Sequence, residues 1–379
     1  MTAEGAIEFE ALESQAARLI NLFAEAGYER VEPAVIQPAS LFLDRIGEAL
    51  RARTYVFTDP NGEELCLRPE MTIPVCRVFL ERGTASPDAK FCYNGTAFRI
   101  QEGNPDPLCP REFRQAGIER FGAPGQDADL EVIGLTIEGL RSNGVKDFTL
   151  KIGHIGLFKA LLAALDMPQR WRDRLARAFW RSDAFSKELS ALSDPDRKLD
   201  AALGDGLTER SYLKMLDERG IALIGQRRPA EIVKRLQDRA ADLQEEPLPP
   251  TSVDLLQSYL RQSGAMNEVL GTLETLFAKK RLALEGVIDD VRTFYKGLST
   301  IAGSNPVVFN AAFGRHFEYY TGMVFQIERA GEGIAGQIAG GGRYDGLIRA
   351  LTGGGRDTPA VGAAIHTERM LAASRRGDV

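Results

Sequence analysis

The sequence predicts an α+β protein, an antiparallel sheet flanked by helices and interrupted by a helical insertion. Strand-like runs bounded by turn residues occur near both ends of the chain. Between them, residues 157–297 are rich in Ala, Leu, Arg, Glu and Lys and have almost no strand-like run. We therefore predict one core built from residues 1–156 and 298–379, with residues 157–297 as the insertion.

Local patterns predict the individual elements of this core. Apolar residues at three- and four-residue steps predict a helix over 8–27, which Gly27 ends. A strand is expected around 31–36, and the pair Asn61-Gly62 predicts a hairpin. Extended runs at 91–100 and 111–121 predict a second hairpin with a long loop. Later strands are expected at 307–309, 323–327 and 334–338, before a glycine cluster and a last helix.

Composition excludes several classes of protein. The 379 residues contain 47 Lys and Arg against 53 Asp and Glu, a net charge of −6. This charge balance argues against a protein whose main function is to bind nucleic-acid phosphates. No apolar run is long enough to span a membrane. The acidic N-terminus and the absence of C-x-x-C pairs predict a cytoplasmic protein. The three histidines lack metal-ligand spacing, so we expect neither a metal nor a cofactor.

Two motifs favour structural interpretations over functional ones. The string Gly331-x-Gly333-x-x-Gly336 matches a dinucleotide fingerprint, but it lies between two strand-like runs and is interpreted as a hairpin turn. The arginines at 170, 174, 177 and 181 share one helical face beside an apolar face. A solvated helix face is favoured there over a nucleic-acid-binding stripe.

Two segments carry chemistry suited to a ligand. The run Leu67–Thr72 brings the Glu70 carboxylate and the Thr72 hydroxyl together beside Arg68, which suits a ligand with an ammonium group. The alternative is an ordinary helix start, where Glu and Thr are common. Segments 315–322 and 340–346 concentrate arginines, tyrosines and a glycine triple, which permits close approach of a ligand or another backbone.

Taken together these motifs resemble the catalytic domain of class II histidyl-tRNA synthetases over nearly the whole chain. LRPEMT resembles the amino-acid-binding segment, REFRQAGIERFG the end of the second signature motif, and PAVGAAIHTERM the third. RHFEYYTG and GGGRYDGL resemble the two histidine-specific motifs, and GYERVEPAVIQP the first signature motif, which forms the dimer interface in this class. The resemblance implies a class II synthetase-like fold and a homodimer.

The resemblance also implies a histidine pocket whose residues are all present. Glu70 and Thr72 would face the amino group, Gln115 and Glu119 the imidazole, and Arg315 the carboxylate, while Tyr319 and Tyr320 would line the ring.

The ATP side departs from the synthetase pattern. Arg99 matches the family's arginine that contacts the α-phosphate, but Gln101 replaces the glutamate that would hold the adenine. In the loop before Arg111, Cys109 occupies the position where the family has an arginine. The loop 100–110 has no Lys or Arg and carries two acidic residues, so a polyanion is repelled there. His366 replaces the glycine before the Glu368-Arg369 pair, where adenine is expected to stack near Arg369. The resemblance thus implies a degenerate ATP site and no catalytic residues.

A synthetase fold with an amino-acid pocket, a weakened ATP site and no anticodon-binding domain after Arg369 resembles the regulatory subunits of ATP phosphoribosyltransferase. In that family the subunit assembles with a short catalytic chain for the first step of histidine biosynthesis and its feedback by histidine. This implies the catalytic subunit, a second copy and histidine as partners, without tRNA or membrane. The alternatives are a stand-alone enzyme that activates an amino acid for a non-tRNA acceptor, and a fragment of a split histidyl-tRNA synthetase; the loop without basic residues disfavours both.

Overall fold

A computed structural model describes residues 6–43, 51–83, 88–101, 110–196, 207–221, 229–314, 319–329, 336–355 and 357–375. The chain forms two compact units. One comprises residues 1–164 together with 261–379, and the other comprises residues 165–260. The helical segment expected at 157–297 therefore contributes to both units.

The described strands form one large and one small sheet. The large sheet has nine strands in the order β1-β5-β6-β12-β11-β10-β7-β9-β8, and the small sheet has the order β2-β4-β3. The strands are β1 Glu29–Arg30, β2 Ile36–Pro38, β3 Val56–Thr58, β4 Glu64–Leu67, β5 Ala89–Phe98, β6 Glu112–Phe121, β7 Phe148–His154, β8 Ser263–Ala265, β9 Val307–Asn310, β10 Met323–Arg329, β11 Gln337–Arg343 and β12 Ala360–His366.

The large sheet is mostly antiparallel, as the sequence predicted, but it is mixed. The pairs β1/β5 and β7/β9 are parallel, whereas the other neighbours in the large sheet are antiparallel. The last strand in the chain, β12, lies in the centre between β6 and β11. Both ends of the sequence therefore meet in the middle of one sheet, and strands far apart in the chain share the face that forms the candidate site.

The described residues of both units also form helices. The described helices are α1 Ala6–Glu25, α2 Ser40–Leu43, α3 Thr72–Glu81, α4 Gln126–Ser142, α5 Ile155–Ala163, α6 Gln169–Ala178, α7 Ser182–Ser193, α8 Glu209–Glu218, α9 Pro229–Asp242, α10 Pro250–Leu260, α11 Met266–Lys279, α12 Glu285–Ala302, α13 Leu347–Leu351 and α14 Thr367–Arg375. Among them α1, α4 and α14 pack on the large sheet, burying apolar side chains such as Leu19, Ile133 and Met370.

The small sheet leaves an apolar face open. Cross-strand partners in an antiparallel sheet point to the same side, which places Ile36, Leu67, Leu65 and Phe57 on one face. Ile36 is 51% exposed and Phe57 39% exposed. The opposite face buries Gln37 and Cys66, although Val56 on that face is 40% exposed.

The second unit is helical, and two of its predicted surface arginines make specific ion pairs. Asp242, at the end of α9, is buried and accepts from Arg170, Arg174 and the indole of Trp171. Arg174 also pairs with Glu188 of α7. Carboxylates within the same unit pair with Arg170 and Arg174, so this face of α6 is neither simply solvated nor free for phosphates. Arg181, predicted to share this face, lies beyond the end of α6 and directly before α7.

Several predicted elements are confirmed and others were missed. Helix α1 and the hairpin β3–β4 agree with prediction, with Gly27 and Gly62 at the positive φ values of 85° and 84°. The dinucleotide-like string lies between β10 and β11, which are antiparallel neighbours, although residues 330–335 lie outside the described residues. Strands β7 and β12 and helix α4 were not predicted, and the glycine cluster forms part of β11.

The described helices include none that combines the length and the apolar character needed to cross a bilayer.

Candidate ligand-binding site

Residues from both ends of the sequence line one pocket on the large sheet. It measures about 300 Å³ including its solvent-filled mouth. The pocket brings together five of the seven residues predicted to hold histidine, along with glycines and alanines of β11 and β12. The lining residues are Glu70, Met71, Thr72, Gln115, Tyr319, Tyr320, Gly340, Gly341, Gly362, Ala363 and Ala364.

Glu70 combines the two roles considered for it from sequence. Its carboxylate accepts hydrogen bonds from the backbone N–H groups of Thr72 (2.8 Å) and Ile73 (2.9 Å), so it caps the start of α3. It also lines the pocket, with the Tyr319 hydroxyl 3.5 Å away. Burial raises the pKa of Glu70, while the two backbone donors and the nearby Arg99 oppose that rise.

Glu119 lies beneath the pocket on β6 and is completely buried. One carboxyl oxygen contacts the Thr72 hydroxyl at 2.8 Å and the Tyr93 hydroxyl at 3.4 Å, and the other contacts the Tyr344 hydroxyl. Burial, reinforced by the charge of Glu70, raises the pKa of Glu119 to about 8, although its hydroxyl partners act in the opposite direction. Burial therefore favours the protonated, neutral form of this carboxyl.

Glycine at 362 makes room for the Glu119 carboxyl. The two residues are cross-strand partners of β12 and β6. A Cβ added at Gly362 would come within 1.6 Å of a Glu119 carboxyl oxygen, and one at Gly341 would come within 2.0 Å of the Gly362 carbonyl oxygen. Small residues at the centre of the sheet thus leave space for a buried carboxyl and for the pocket above it.

Gln115 contributes an unused hydrogen-bond acceptor to the pocket wall. It is 4% exposed, and among the described residues its side-chain oxygen has no partner. A buried acceptor without a partner costs roughly 1–3 kcal/mol, which a ligand N–H recovers.

Three tyrosines form the aromatic side of the site. The rings of Tyr319 and Tyr320 lie 4.8 Å apart, and Tyr344 meets the Tyr319 ring edge-on at 5.7 Å. Tyr344 and Tyr93 were not among the predicted site residues. The contact of Tyr93 with Glu119 follows from the pairing of β5 and β6. Tyr344 follows β11, and the only sequence signal for it was its place in the GGGRYDGL motif.

Two arginines of the predicted motifs are structural. Arg68 is 1% exposed and donates to the backbone carbonyls of Thr96 and Pro33, so it joins chain segments and does not face a ligand. Arg343 forms a buried ion pair with Asp129 at 2.6 Å and reaches Asp345 at 3.0 Å. These bonds fix the end of β11 to the start of α4.

Two of the residues assigned to a degenerate ATP site, Arg99 and His366, lie against Phe113. The guanidinium of Arg99 lies 4.8 Å from the Phe113 ring centroid and donates to the Pro69 carbonyl. The largely buried His366 ring lies 5.4 Å from the same ring. Arg369 donates to the carbonyl of Gln337.

Gln101 and Arg111 complete the described part of this region. Gln101 accepts from Arg53 at 2.8 Å, so its amide oxygen already has a cationic partner. Arg111 is exposed, and its carbonyl accepts from the backbone N–H of Arg99. Cys109, most of the loop 100–110 and Arg315 lie outside the described residues. Over the described residues, no three His, Cys, Asp or Glu side chains are placed to hold a metal ion.

Comparison with known proteins agrees with this geometry. The family model described as histidyl-tRNA synthetase matches residues 6–370. An ATP phosphoribosyltransferase regulatory subunit of Agrobacterium fabrum is 35% identical over 376 residues, covering 94% of this chain and 96% of the relative. One from Brucella anthropi is 33% identical over 355 residues, covering 90% and 92%.

A solved structure gives the corresponding likeness in three dimensions. An ATP phosphoribosyltransferase regulatory subunit/histidyl-tRNA synthetase from Bacillus halodurans has a TM-score of 0.70 at 21% identity, covering 98% of this chain and 81% of that one. At that identity the likeness shows the fold alone, which is α+β and synthetase-like, as predicted.

Proposed function

We propose a function from the premise that the chain belongs to the histidyl-tRNA synthetase family and, within it, to the ATP phosphoribosyltransferase regulatory subunits. The chain is accordingly a non-catalytic subunit that partners the catalytic subunit of ATP phosphoribosyltransferase. We propose further that its partner is a short catalytic chain, that the complex performs the first step of histidine biosynthesis, and that histidine is the effector bound by this subunit.

The contrast between the two halves of the ancestral site carries this proposal. The amino-acid half is an open pocket with a carboxylate for an ammonium group and an unpaired acceptor for a ring N–H. In the ATP half, His366 lies against Phe113, while Arg99 and Arg369 bond backbone carbonyls. Such a chain is suited to sensing histidine and unsuited to activating it. Arg315 remains our candidate for the histidine carboxylate.

Reconstitution tests the regulatory role. The catalytic chain alone is expected to be nearly inactive, to gain activity when this chain is added, and to lose it again with histidine. Full histidine-sensitive activity without this chain contradicts the proposal.

The Gln115→Leu substitution tests the pocket assignment. Since the side-chain oxygen of Gln115 has no partner in the described structure, its loss removes a ligand contact at little cost to folding. We expect histidine affinity, measured by calorimetry, to fall about tenfold. Gln15→Leu is a matched control, because Gln15 is also buried with an unpaired oxygen but lies on α1 outside the pocket. Equal affinities in the two variants would place the histidine site elsewhere.

ATP chemistry separates this function from amino-acid activation. We expect no histidine-dependent exchange of pyrophosphate into ATP, because that reaction requires an organised triphosphate site. Exchange above the background of a His366→Trp variant, in which the adenine position is filled further, would favour the activating enzyme instead.

A further inference from the structure

The guanidinium of Arg343 forms a buried clamp between the end of β11 and the start of α4. Its three nitrogens contact two carboxylates and two backbone carbonyls, which belong to Asp129 (2.6 and 2.8 Å), Asp345 (3.0 Å), Ala123 (3.3 Å) and Gly125 (2.7 Å). The side chain is 9% exposed. A planar guanidinium that is bound on several sides has a fixed direction as well as a fixed place.

The backbone around Arg343 holds the segment that carries Tyr319 and Tyr320, which form the tyrosine wall of the pocket. The Arg343 carbonyl accepts from the backbone N–H of Thr321 at 2.8 Å, and the Thr321 hydroxyl accepts from the backbone N–H of Asp345 at 3.0 Å. The tyrosine wall directly precedes Thr321 and lies outside the described strands. Its position therefore depends on tertiary contacts such as these and not on strand pairing.

Two glycines bring the tyrosine wall against Arg343 and β11. A Cβ added at Gly322 would come within 3.1 Å of the aliphatic part of the Arg343 side chain, so the backbone that follows the wall packs on that side chain. A Cβ added at Gly342 would come within 3.0 Å of the Tyr320 ring, so the ring packs directly on β11. Because closely packed groups move together, a displacement of the Arg343 side chain would also displace the wall.

We propose that Arg343 is a positioning residue, which holds the tyrosine wall where the ring of bound histidine requires it. This inference rests on the proposed function, since it concerns histidine in the same pocket. The described lining residues do not include Arg343, and its guanidinium faces the start of α4, so it acts through the wall and not by contact with the ligand. A buried ion pair often adds little net stability compared with well-packed apolar residues, whereas its fixed geometry determines where neighbouring groups lie.

Removing one charge from the clamp tests this role. In Asp129→Asn the guanidinium keeps a side-chain oxygen and its other partners but loses the carboxylate that fixes its direction. We expect histidine affinity, measured by calorimetry on the full chain at a temperature where the variant is folded, to fall about tenfold. The matched control is Asp242→Asn. Asp129 and Asp242 are 5% and 6% exposed, and Asp242 also accepts from arginines, but it belongs to the second unit and the pocket-lining residues to the first. An equal loss of affinity in both variants, or none in Asp129→Asn, overturns the inference.

A double-variant cycle separates positioning from a general loss of stability. In Tyr320→Leu the wall loses a ring, so histidine affinity falls directly. If Arg343 acts through the wall, adding Asp129→Asn to Tyr320→Leu should lower the affinity by less than about twofold more. Additive losses would place the effect of the clamp outside the wall and contradict the inference. Arg343→Lys, which keeps the charge without the planar fork, gives the same comparison if Asp129→Asn does not fold.

The parent chain distinguishes this inference from the proposed function. If the parent binds histidine and Asp129→Asn binds it equally well, only the positioning role is wrong. If the parent binds no histidine, the proposed pocket fails, and the positioning role fails with it.

Discussion

Glu70 shows how one side chain can satisfy two interpretations of a sequence. The motif alone was compatible with a carboxylate that binds a ligand or with one at a helix start. In the structure Glu70 both caps α3 and lines the pocket. Both oxygens already accept backbone hydrogen bonds, so Glu70→Ala would weaken α3 as well as the pocket. Sequence reasoning had no basis for choosing, because capping and ligand binding use the same negative charge at the same helix end.

At Gly362 the side chain of the neighbouring strand determines which residue fits. A methyl group there would overlap the Glu119 carboxyl, so we expect Gly362→Ala to destabilise the fold by about 1–3 kcal/mol and to weaken histidine binding. Denaturant unfolding and calorimetry measure the two effects. The control is Gly271→Ala in α11, where a Cβ meets nothing within 4 Å and stability should rise by about 1 kcal/mol. Unchanged stability of Gly362→Ala contradicts the steric argument.

Among the elements, strands with turn signals were predictable and strands of small residues were not. The pair Asn61-Gly62 and the flanking alternation identified β3 and β4. β11 and β12 consist largely of Gly and Ala, which have low strand propensity. Their conformation is imposed by tertiary approach, since Gly341 lies too close to the carbonyl of Gly362 for any side chain.

Helix α5 begins at His154, a half-buried histidine whose titration should affect the stability of the fold. The Nδ1 atom of His154 accepts from the backbone N–H of Leu157 at 2.9 Å, and burial lowers the pKa of His154 to about 4. As pH falls from 6.5 towards 4, His154 becomes protonated in the unfolded chain but stays neutral in the folded chain. The free energy of unfolding therefore decreases. Between pH 7 and pH 5 this loss should be about 2 kcal/mol.

The variant His154→Asn tests this assignment. Asn keeps a capping oxygen but does not titrate, so this part of the pH dependence should disappear while the stability at pH 7 changes little. Denaturant unfolding at both pH values provides the measurement. The same acid loss in the variant would assign it to other groups.

For the whole molecule, the open face of the small sheet supports the proposed homodimer. It adjoins the segment resembling the first signature motif, and Ile36 lies on it half exposed. We expect the isolated chain to sediment as a dimer at micromolar concentration and Ile36→Glu to sediment as a folded monomer, because burying an unpaired charge at an apolar interface is costly. Leu213→Glu, an exposed leucine of the second unit, should remain dimeric. A monomeric parent chain would exclude this interface.

Most of the candidate site could be predicted because its residues belong to motifs with a recognisable order. Glu70, Gln115 and Tyr319 are far apart in sequence, and the resemblance alone grouped them before the pocket did. Tyr93 lies outside those motifs, so its contact with Glu119 became visible only when β5 and β6 were paired. The depth of burial, which raises the pKa of Glu119, could not be predicted from the sequence.

The central position of β12 has a consequence for biosynthesis. Residues 360–366 are synthesised after all the other described strands, yet in the folded protein they lie between β6 and β11. Until they emerge, both neighbours present unpaired backbone groups along a full edge, which another nascent chain can engage. Chains released before Ala360 should therefore accumulate as aggregates, so complete translation is a condition for a soluble product.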